Sequence, residues 1–293
     1  MQRKILVFGA NGQLGQEILR RAAGRATGFD RGSVDICDEA AVAEAVRAHP
    51  PRSIVNVAAF TAVDRAETEV EAAFRVNRDG SAALAKAASL ADVPFVAVSS
   101  DYVFDGAKRT PYHEDDPVAP LNVYGRSKAE GERAIRRLSE RHIILRTSWV
   151  YSPHGTNFVR TMLQLGEEQA ELKIVDDQIG CPTAAADLAS AILTILSKVE
   201  ERGFADWGTY HYRGADIVSW YGFAGLIFEE AAHYGGPTPR LVPIETTAFP
   251  AKAIRPAYSV LCTEKIAKTF GIKPRPLRDS LRECLAELKQ RGA

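Results

Sequence analysis

Several features are scarce or missing in this 293-residue chain, and each absence removes a class of function. No apolar run approaches the ~18 residues that a membrane-spanning helix needs. Neither sign of charge is in excess: Lys+Arg and Asp+Glu are each 37, so no global field draws the chain to nucleic acid or to an anionic membrane. The four cysteines (Cys37, Cys181, Cys262 and Cys284) lie far apart and form no CxxC pair. That usage reads as reduced thiols, not as a disulfide framework or a metal knot. The six histidines are scattered, without the ligand spacing of a zinc site. The chain shows no signal peptide, no internal repeat and no low-complexity tail. Together these absences predict a cytoplasmic globular protein that acts on small molecules.

What is present is an alternation of apolar strands and helical patterns. Lys4-Ile5-Leu6-Val7-Phe8 reads as a strand, followed by the glycine-rich turn Gly9-Ala10-Asn11-Gly12-Gln13-Leu14-Gly15 and a helix over 14–23. A short strand ends at Asp30, a helix covers 39–48, and Ser53-Ile54-Val55-Asn56-Val57-Ala58 is a third strand. A long helical region through 69–90 precedes the buried strand Phe95-Val96-Ala97-Val98 that runs into Ser99-Ser100. The helix carrying Tyr124 continues to about 141, and residues 143–147 form another strand. This β-α alternation with near-continuous apolar strands predicts an α/β fold, a Rossmann-type doubly wound parallel sheet. Residues 1–153 read as a dinucleotide-binding domain. Residues 154–293 read mainly as a smaller mixed α/β substrate domain, with part of 172–198 returning to the first. There the pattern predicts helices over 155–165, 183–200, 219–234 and 277–289.

The glycine turn has G-x-x-G-x-x-G spacing, and bare backbone there lets a pyrophosphate approach the unpaired N–H groups of a helix start. Asp30 lies 21 residues after Gly9, at the end of the second strand, where a carboxylate binds a ribose hydroxyl. Arg31 beside it suits a 2′-phosphate, so both NADH and NADPH stay open. Tyr124 and Lys128 stand at i and i+4 on one helix face, so the phenol and the ammonium can approach one atom. A nearby cation favours phenolate and lowers a tyrosine pKa. Ser100, at the carboxyl end of its strand, adds a hydroxyl where open α/β sheets place their sites. Hydroxyl, phenol and ammonium together can polarise and protonate a carbonyl oxygen.

These motifs, with Asn56-Val57-Ala58-Ala59 and Ser99-Ser100-Asp101-Tyr102-Val103-Phe104, resemble the extended short-chain dehydrogenases/reductases. Longer stretches resemble the dTDP-4-dehydrorhamnose reductases within that group. Among them are Ala59-Phe60-Thr61-Ala62-Val63-Asp64-Arg65-Ala66-Glu67, Pro120-Leu121-Asn122-Val123-Tyr124-Gly125 and Leu145-Arg146-Thr147-Ser148-Trp149-Val150-Tyr151. Further matches are Asn157-Phe158-Val159, Asp176-Asp177-Gln178-Ile179-Gly180-Cys181-Pro182-Thr183, Ser219-Trp220-Tyr221, and Arg255-Pro256 with Ser259. The likeness implies reduction of the C4 keto group of a dTDP-6-deoxyhexose by NADPH or NADH. It implies that Gly9, Gly12, Gln13, Leu14 and Gly15 wrap the pyrophosphate, Asp30 the adenosine ribose, Asp35 and Ile36 the adenine side. Ala59, Phe60 and Thr61 then lie along the nicotinamide side. Tyr124, Lys128 and Ser100 are the implied catalytic groups, and Ser100, Asp101, Trp149 and Arg255 touch the nucleotide-sugar.

Bland alternatives accompany these roles. Trp149 fits a core, Asp101 a turn cap, and Arg255 a solvated loop. Asp176-Asp177 reads as a structural turn. The loop 106–120 reads equally as a substrate cover or a surface excursion. Some of the resembled reductases hold Mg2+ with glutamates at a homodimer interface. Glu17 and Glu287 stand at matching places, whereas a further glutamate position is Ala186 here, removing one hard oxygen ligand. A nucleotide-sugar epimerase or dehydratase shares the cofactor domain and the tyrosine pair. The non-catalytic regulatory subunit of methionine adenosyltransferase resembles the same reductases and acts as a partner protein.

Overall fold

The computed structural model describes residues 3–201 and 203–291. In the first half, β1 (Ile5–Phe8), α1 (Gln13–Ala22), β2 (Ala26–Phe29), α2 (Glu39–Ala48) and β3 (Ser53–Asn56) follow in order. Next come α3 (Val63–Ala66), α4 (Val70–Phe74), α5 (Ser81–Leu90), β4 (Phe95–Ser100), α6 (Val123–Leu138) and β5 (His142–Thr147). The expected long helix over 69–90 is two α-helices joined by a π-helical stretch, Arg75–Gly80, whose wider turn carries Asn77 inward. All of these strands pair in parallel, in the order β5-β4-β3-β1-β2. Strand alternation splits the core between the two faces of the sheet. Ile5 and Val7 pack on one side with Leu14, Ile18, Val55 and Val96. Leu6 and Phe8 pack on the other with Ile54, Leu84, Phe95 and Ile144.

The second half holds β6 (Val150–Tyr151), α7 (Phe158–Glu168), β7 (Glu171–Val175), β8 (Ile179–Gly180), β9 (Thr183–Ala184) and α8 (Ala185–Val199). It continues through β10 (Gly208–His211), β11 (Val218–Ser219), α9 (Trp220–Ala232), β12 (Arg240–Ile244), α10 (Glu264–Phe270) and α11 (Leu277–Gln290). The chain returns to the main sheet here. Helix α8 packs on α1, and β10 pairs in parallel with β5 as the sixth strand. Leu188, Ile192 and Ile195 of α8 join the core formed by Ile5, Val7 and Ile18. Helices α7, α9 and α11 close a separate core around Tyr151, Met162, Phe223, Ile227 and Leu281. The chain leaves β1 to β2 on one side and resumes at β3 on the other, so strand order reverses between β1 and β3. Crevices form at such a switch point, outside the strands' carboxyl ends.

The pair Asp176-Asp177 lies in the turn after β7. Asp176 accepts from Ser219, and Asp177 from the Thr246 N–H and hydroxyl. The loop 106–120 is tied down by Tyr112, which exchanges backbone hydrogen bonds with Val260 and Cys262 and stacks on Phe104 at 4.3 Å. Among the described residues, no helix is long and apolar enough to cross a membrane.

Candidate active site

A cavity of about 1150 Å³ opens along the carboxyl ends of β1, β3, β4 and β5. One end is the glycine turn after β1. Gly9 has φ +97°, and a Cβ there would lie 2.5 Å from the Ala58 nitrogen. Only glycine allows that approach. Gly15 does not line the cavity; it packs under the turn, where a Cβ would lie 2.2 Å from the Gly9 carbonyl oxygen. Helix α1 starts at Gln13 with no side-chain cap and no acidic residue in its first turn, leaving its N–H groups to an anion. The cavity is large enough for a dinucleotide with a second ligand, against the ~300–1,000 Å³ of ordinary small-molecule sites.

The acids expected to face adenosine are already engaged. Asp30 accepts from Ser33 N at 2.8 Å and from Asn11 Nδ2 at 2.6 Å, and these bonds, the Ser33 N–H first, hold its carboxyl below the usual range. Asp35 takes the Cys37 N–H and lies 3.7 Å from Arg75. Ile36 and Arg31 complete this wall. After β3, Ala59, Phe60 and Thr61 line the middle of the cavity. Asn77 fixes that segment, donating to Phe60 O at 3.1 Å and accepting from Phe60 N at 2.9 Å. Asn77 carries no signal in the sequence, because a π-helical offset brings it there.

At the other end stand Ser100, Tyr124 and Lys128. Asn122 caps α6 through Gly125 N at 2.8 Å and places Tyr124 in the first turn. The Tyr124 ring meets Tyr102 edge-on at 5.6 Å. Burial pushes the Tyr124 phenol up to about 12, with the Ser100 hydroxyl opposing it. Lys128 is buried, which pulls its ammonium down to about 8, and its Nζ donates to the Val98 carbonyl at 2.8 Å. The phenol pKa therefore departs from the expected lowering: desolvation, helped by the Asp101 charge, outweighs the Ser100 hydroxyl. Ser100 donates to Asp101 at 2.9 Å, and Asp101, buried, rises to about 6, chiefly through desolvation.

Across the cavity, Trp149 occupies a left-handed backbone position, φ +47°, and its indole stacks on Trp220 at 3.5 Å and 7°. Both rings line the cavity. Trp220 was legible only as part of Ser219-Trp220-Tyr221, not as a site residue. Arg255 lies off the cavity lining: its Nη2 pairs with Asp64 Oδ2 at 2.6 Å. No residue of the loop 106–120 lines the cavity either.

Glu17 and Glu287 do come together, with His154. Glu17, fully buried, accepts from Arg20 at 2.6 Å, lies 3.4 Å from Arg21 and meets His154 Nε2 at 3.0 Å. Glu287 pairs with Arg291 at 2.6 Å, and Arg291 also reaches His154 Nδ1 at 3.1 Å. Three guanidiniums already neutralise the two carboxylates. The residues present do not fit Mg2+, which needs free oxygen ligands and excess negative charge.

A glycine cradle at the switch point, facing a serine, tyrosine and lysine across one cavity, defines an extended short-chain dehydrogenase/reductase. The family model described as "RmlD substrate binding domain" matches residues 3–290. A dTDP-4-dehydrorhamnose reductase of Sinorhizobium fredii is 41% identical, over 99% of both chains. The solved dTDP-4-dehydrorhamnose reductase of Clostridium acetobutylicum superposes with a TM-score of 0.92 at 38% identity, covering 98% of this chain and 99% of that one. That of Bacillus anthracis, in complex with NADP, gives 0.90 at 34% identity, covering 98% and 100%. The chain belongs to the dTDP-4-dehydrorhamnose reductase family.

Proposed function

We propose that this chain reduces the C4 keto group of dTDP-4-dehydro-L-rhamnose to dTDP-L-rhamnose with NADPH or NADH, supplying an activated sugar for cell-surface polysaccharide. The observation that carries this reading is Ser100, Tyr124 and Lys128 meeting in the cavity that begins at the glycine turn. The dinucleotide lies over 1–153 and the returning segment of α8 and β10, the nucleotide-sugar toward the remainder of 154–293. Gly9, Gly12, Gln13 and Leu14 hold the pyrophosphate, Arg31 and Asp30 flank the adenosine ribose, and Ala59 to Thr61 lie beside the nicotinamide. When bound, the dinucleotide supplies the hydride that the C4 carbon receives.

The protein supplies the proton and the fixed charges. A phenol near 12 is fully protonated at neutral pH, so Tyr124 is loaded as the acid for the carbonyl oxygen. Lys128 at about 8 is charged there and stabilises negative charge as it develops on the phenol oxygen. Ser100 turns its hydroxyl from Asp101 to the developing alkoxide, a stabilisation delivered where charge grows. Trp149 and Trp220 form the apolar wall for the sugar, and Asp101 backs Ser100. With four free thiols and no spanning helix among the described residues, we place the protein in the cytoplasm. A homodimer, if formed, rests on contacts other than a metal at Glu17.

The test is a coupled assay in which the keto-sugar nucleotide is generated in place and dinucleotide oxidation is followed. Wild type oxidises NADPH or NADH, and Tyr124→Phe loses about 10³-fold in kcat while still binding dinucleotide. No oxidation by a wild-type chain that binds dinucleotide would overturn the rhamnose assignment. It would favour a partner-protein role.

A further inference from the structure

The segment 152–157 follows β6 and wraps the first residue of α1. Ser152 donates to Gln13 Oε1 at 2.9 Å, and Asn157 Nδ2 donates to the same oxygen at 3.0 Å. Gly155, φ +62°, passes close enough that a Cβ would touch Gln13 Cγ at 3.5 Å. Gly155, Thr156 and Gln13 all line the cavity, whereas Asn157 and Ser152 are buried behind them.

The direction of these bonds is set by backbone. Asn157 is the N-cap of α7: its Oδ1 accepts from Arg160 N at 3.3 Å. Its amide nitrogen therefore faces the other way, toward the Ser152 carbonyl at 2.8 Å, the His154 carbonyl at 3.2 Å and Gln13. Ser152 takes the His154 N–H at 3.0 Å, so its hydroxyl hydrogen is left for Gln13 Oε1 or the His154 carbonyl. A donor can meet only an acceptor, and this forces the Gln13 oxygen toward Asn157. The Gln13 N–H2 is left on the side away from Asn157 and Ser152, on the residue that opens the uncapped helix α1.

We propose that Asn157 is a positioning residue for the dinucleotide: it fixes the Gln13 carboxamide so that its N–H2 faces the phosphates at the start of α1. The inference rests on the reading that the dinucleotide pyrophosphate lies at the glycine turn. Through it, the start of the substrate-side helix α7 sets the donor array of the cofactor side. A side chain that would otherwise rotate is pre-ordered as an anion donor.

Asn157→Asp separates this role from capping. Aspartate keeps the cap of α7 as asparagine does but gives up the Nδ2 bonds to the Ser152 and His154 carbonyls, so the Gln13→Ala background is what separates orientation of Gln13 from that local loss. As an orienting donor it would fail: a carboxylate attracts the Gln13 N–H2 and turns the Gln13 oxygen onto the phosphates. The readout is the dissociation constant of NADPH and of NADH by fluorescence, with no sugar present. We expect Asn157→Asp to bind about tenfold more weakly, the loss of one charge-assisted hydrogen bond. In a Gln13→Ala background the same substitution changes binding by less than about twofold. Asn157→Ser keeps the cap and removes the longer amide donor that reaches Gln13, and weakens binding in the same direction should Asn157→Asp not fold. Wild-type affinity in Asn157→Asp, or an equal loss in both backgrounds, would overturn the proposal. A wild-type chain that binds neither dinucleotide would overturn the cofactor reading along with it.

Discussion

Lys128 Nζ donates a 2.8 Å hydrogen bond to the carbonyl oxygen of Val98, which ties the ammonium of α6 to the last turn of β4 before the serines. The sequence places Lys128 relative to Tyr124. The tertiary bond places both relative to Ser100.

The buried ammonium makes the reaction sensitive to alkali. Lys128 has its pKa pulled down to about 8, so its charge is present below that pH and lost as pH rises through it. We expect kcat/KM for reduction to be level near neutrality and to fall above about pH 8. Lys128→Met lowers it by about 10²-fold at neutral pH and flattens that alkaline limb. A pH–rate profile of both proteins checks the assignment.

Asp101 should make stability depend on pH in the opposite sense to a paired carboxylate. Its folded-state pKa, about 6, lies above the ordinary aspartate value, so between the two the folded chain holds a proton that the unfolded chain has released. The stability this gives is complete below the unfolded value and is lost as pH rises through about 6. Asp101→Asn therefore nearly matches wild type near pH 4 and exceeds it at pH 7 by about 3 kcal/mol. Urea melts at the two pH values measure the difference.

Arg255 and Asp64 pin the segment before Pro256 to α3. Besides the ion pair, Asp64 Oδ1 accepts from Lys252 N and Ala253 N, each at 3.0 Å. Asp64→Ala removes the ion pair and both backbone bonds and should cost about 1–2 kcal/mol. Limited proteolysis should then cut within residues 245–256 before any other site. Asp64→Asn keeps the backbone contacts and resists cleavage.

Metal removal should leave the protein unaffected at Glu17. The carboxylates there are matched by Arg20, Arg21 and Arg291. Neither EDTA nor millimolar Mg2+ should move the melting temperature. Glu17→Gln should lower it, because the buried position loses its charge and one acceptor oxygen for Arg20, Arg21 and His154.

The parallel sheet was legible because its strands are nearly continuous apolar runs, and Gly9, Gly12 and Asp30 could be placed by their distance from β1. The sixth strand was not: Gly208-Thr209-Tyr210-His211 is short and half polar, and its partner β5 lies more than sixty residues upstream. Tyr124 and Lys128 are local to one helix, so spacing alone pairs them. Arg255 pairs with a residue 191 positions away, and no local pattern reveals whether it faces phosphate or carboxylate. The same holds for Glu17, whose polar character on α1 hides complete burial among arginines.

The stacked indoles also give the cavity an optical signature. Of the three tryptophans, Trp149 and Trp220 lie face to face in the cleft, while Trp207 sits against Phe204. Two indoles stacked at 3.5 Å quench and shift one another's emission, so the intrinsic fluorescence should respond to what enters the cleft beside them. Any ligand that parts or tilts the rings would register without a label, leaving the third indole as an internal standard.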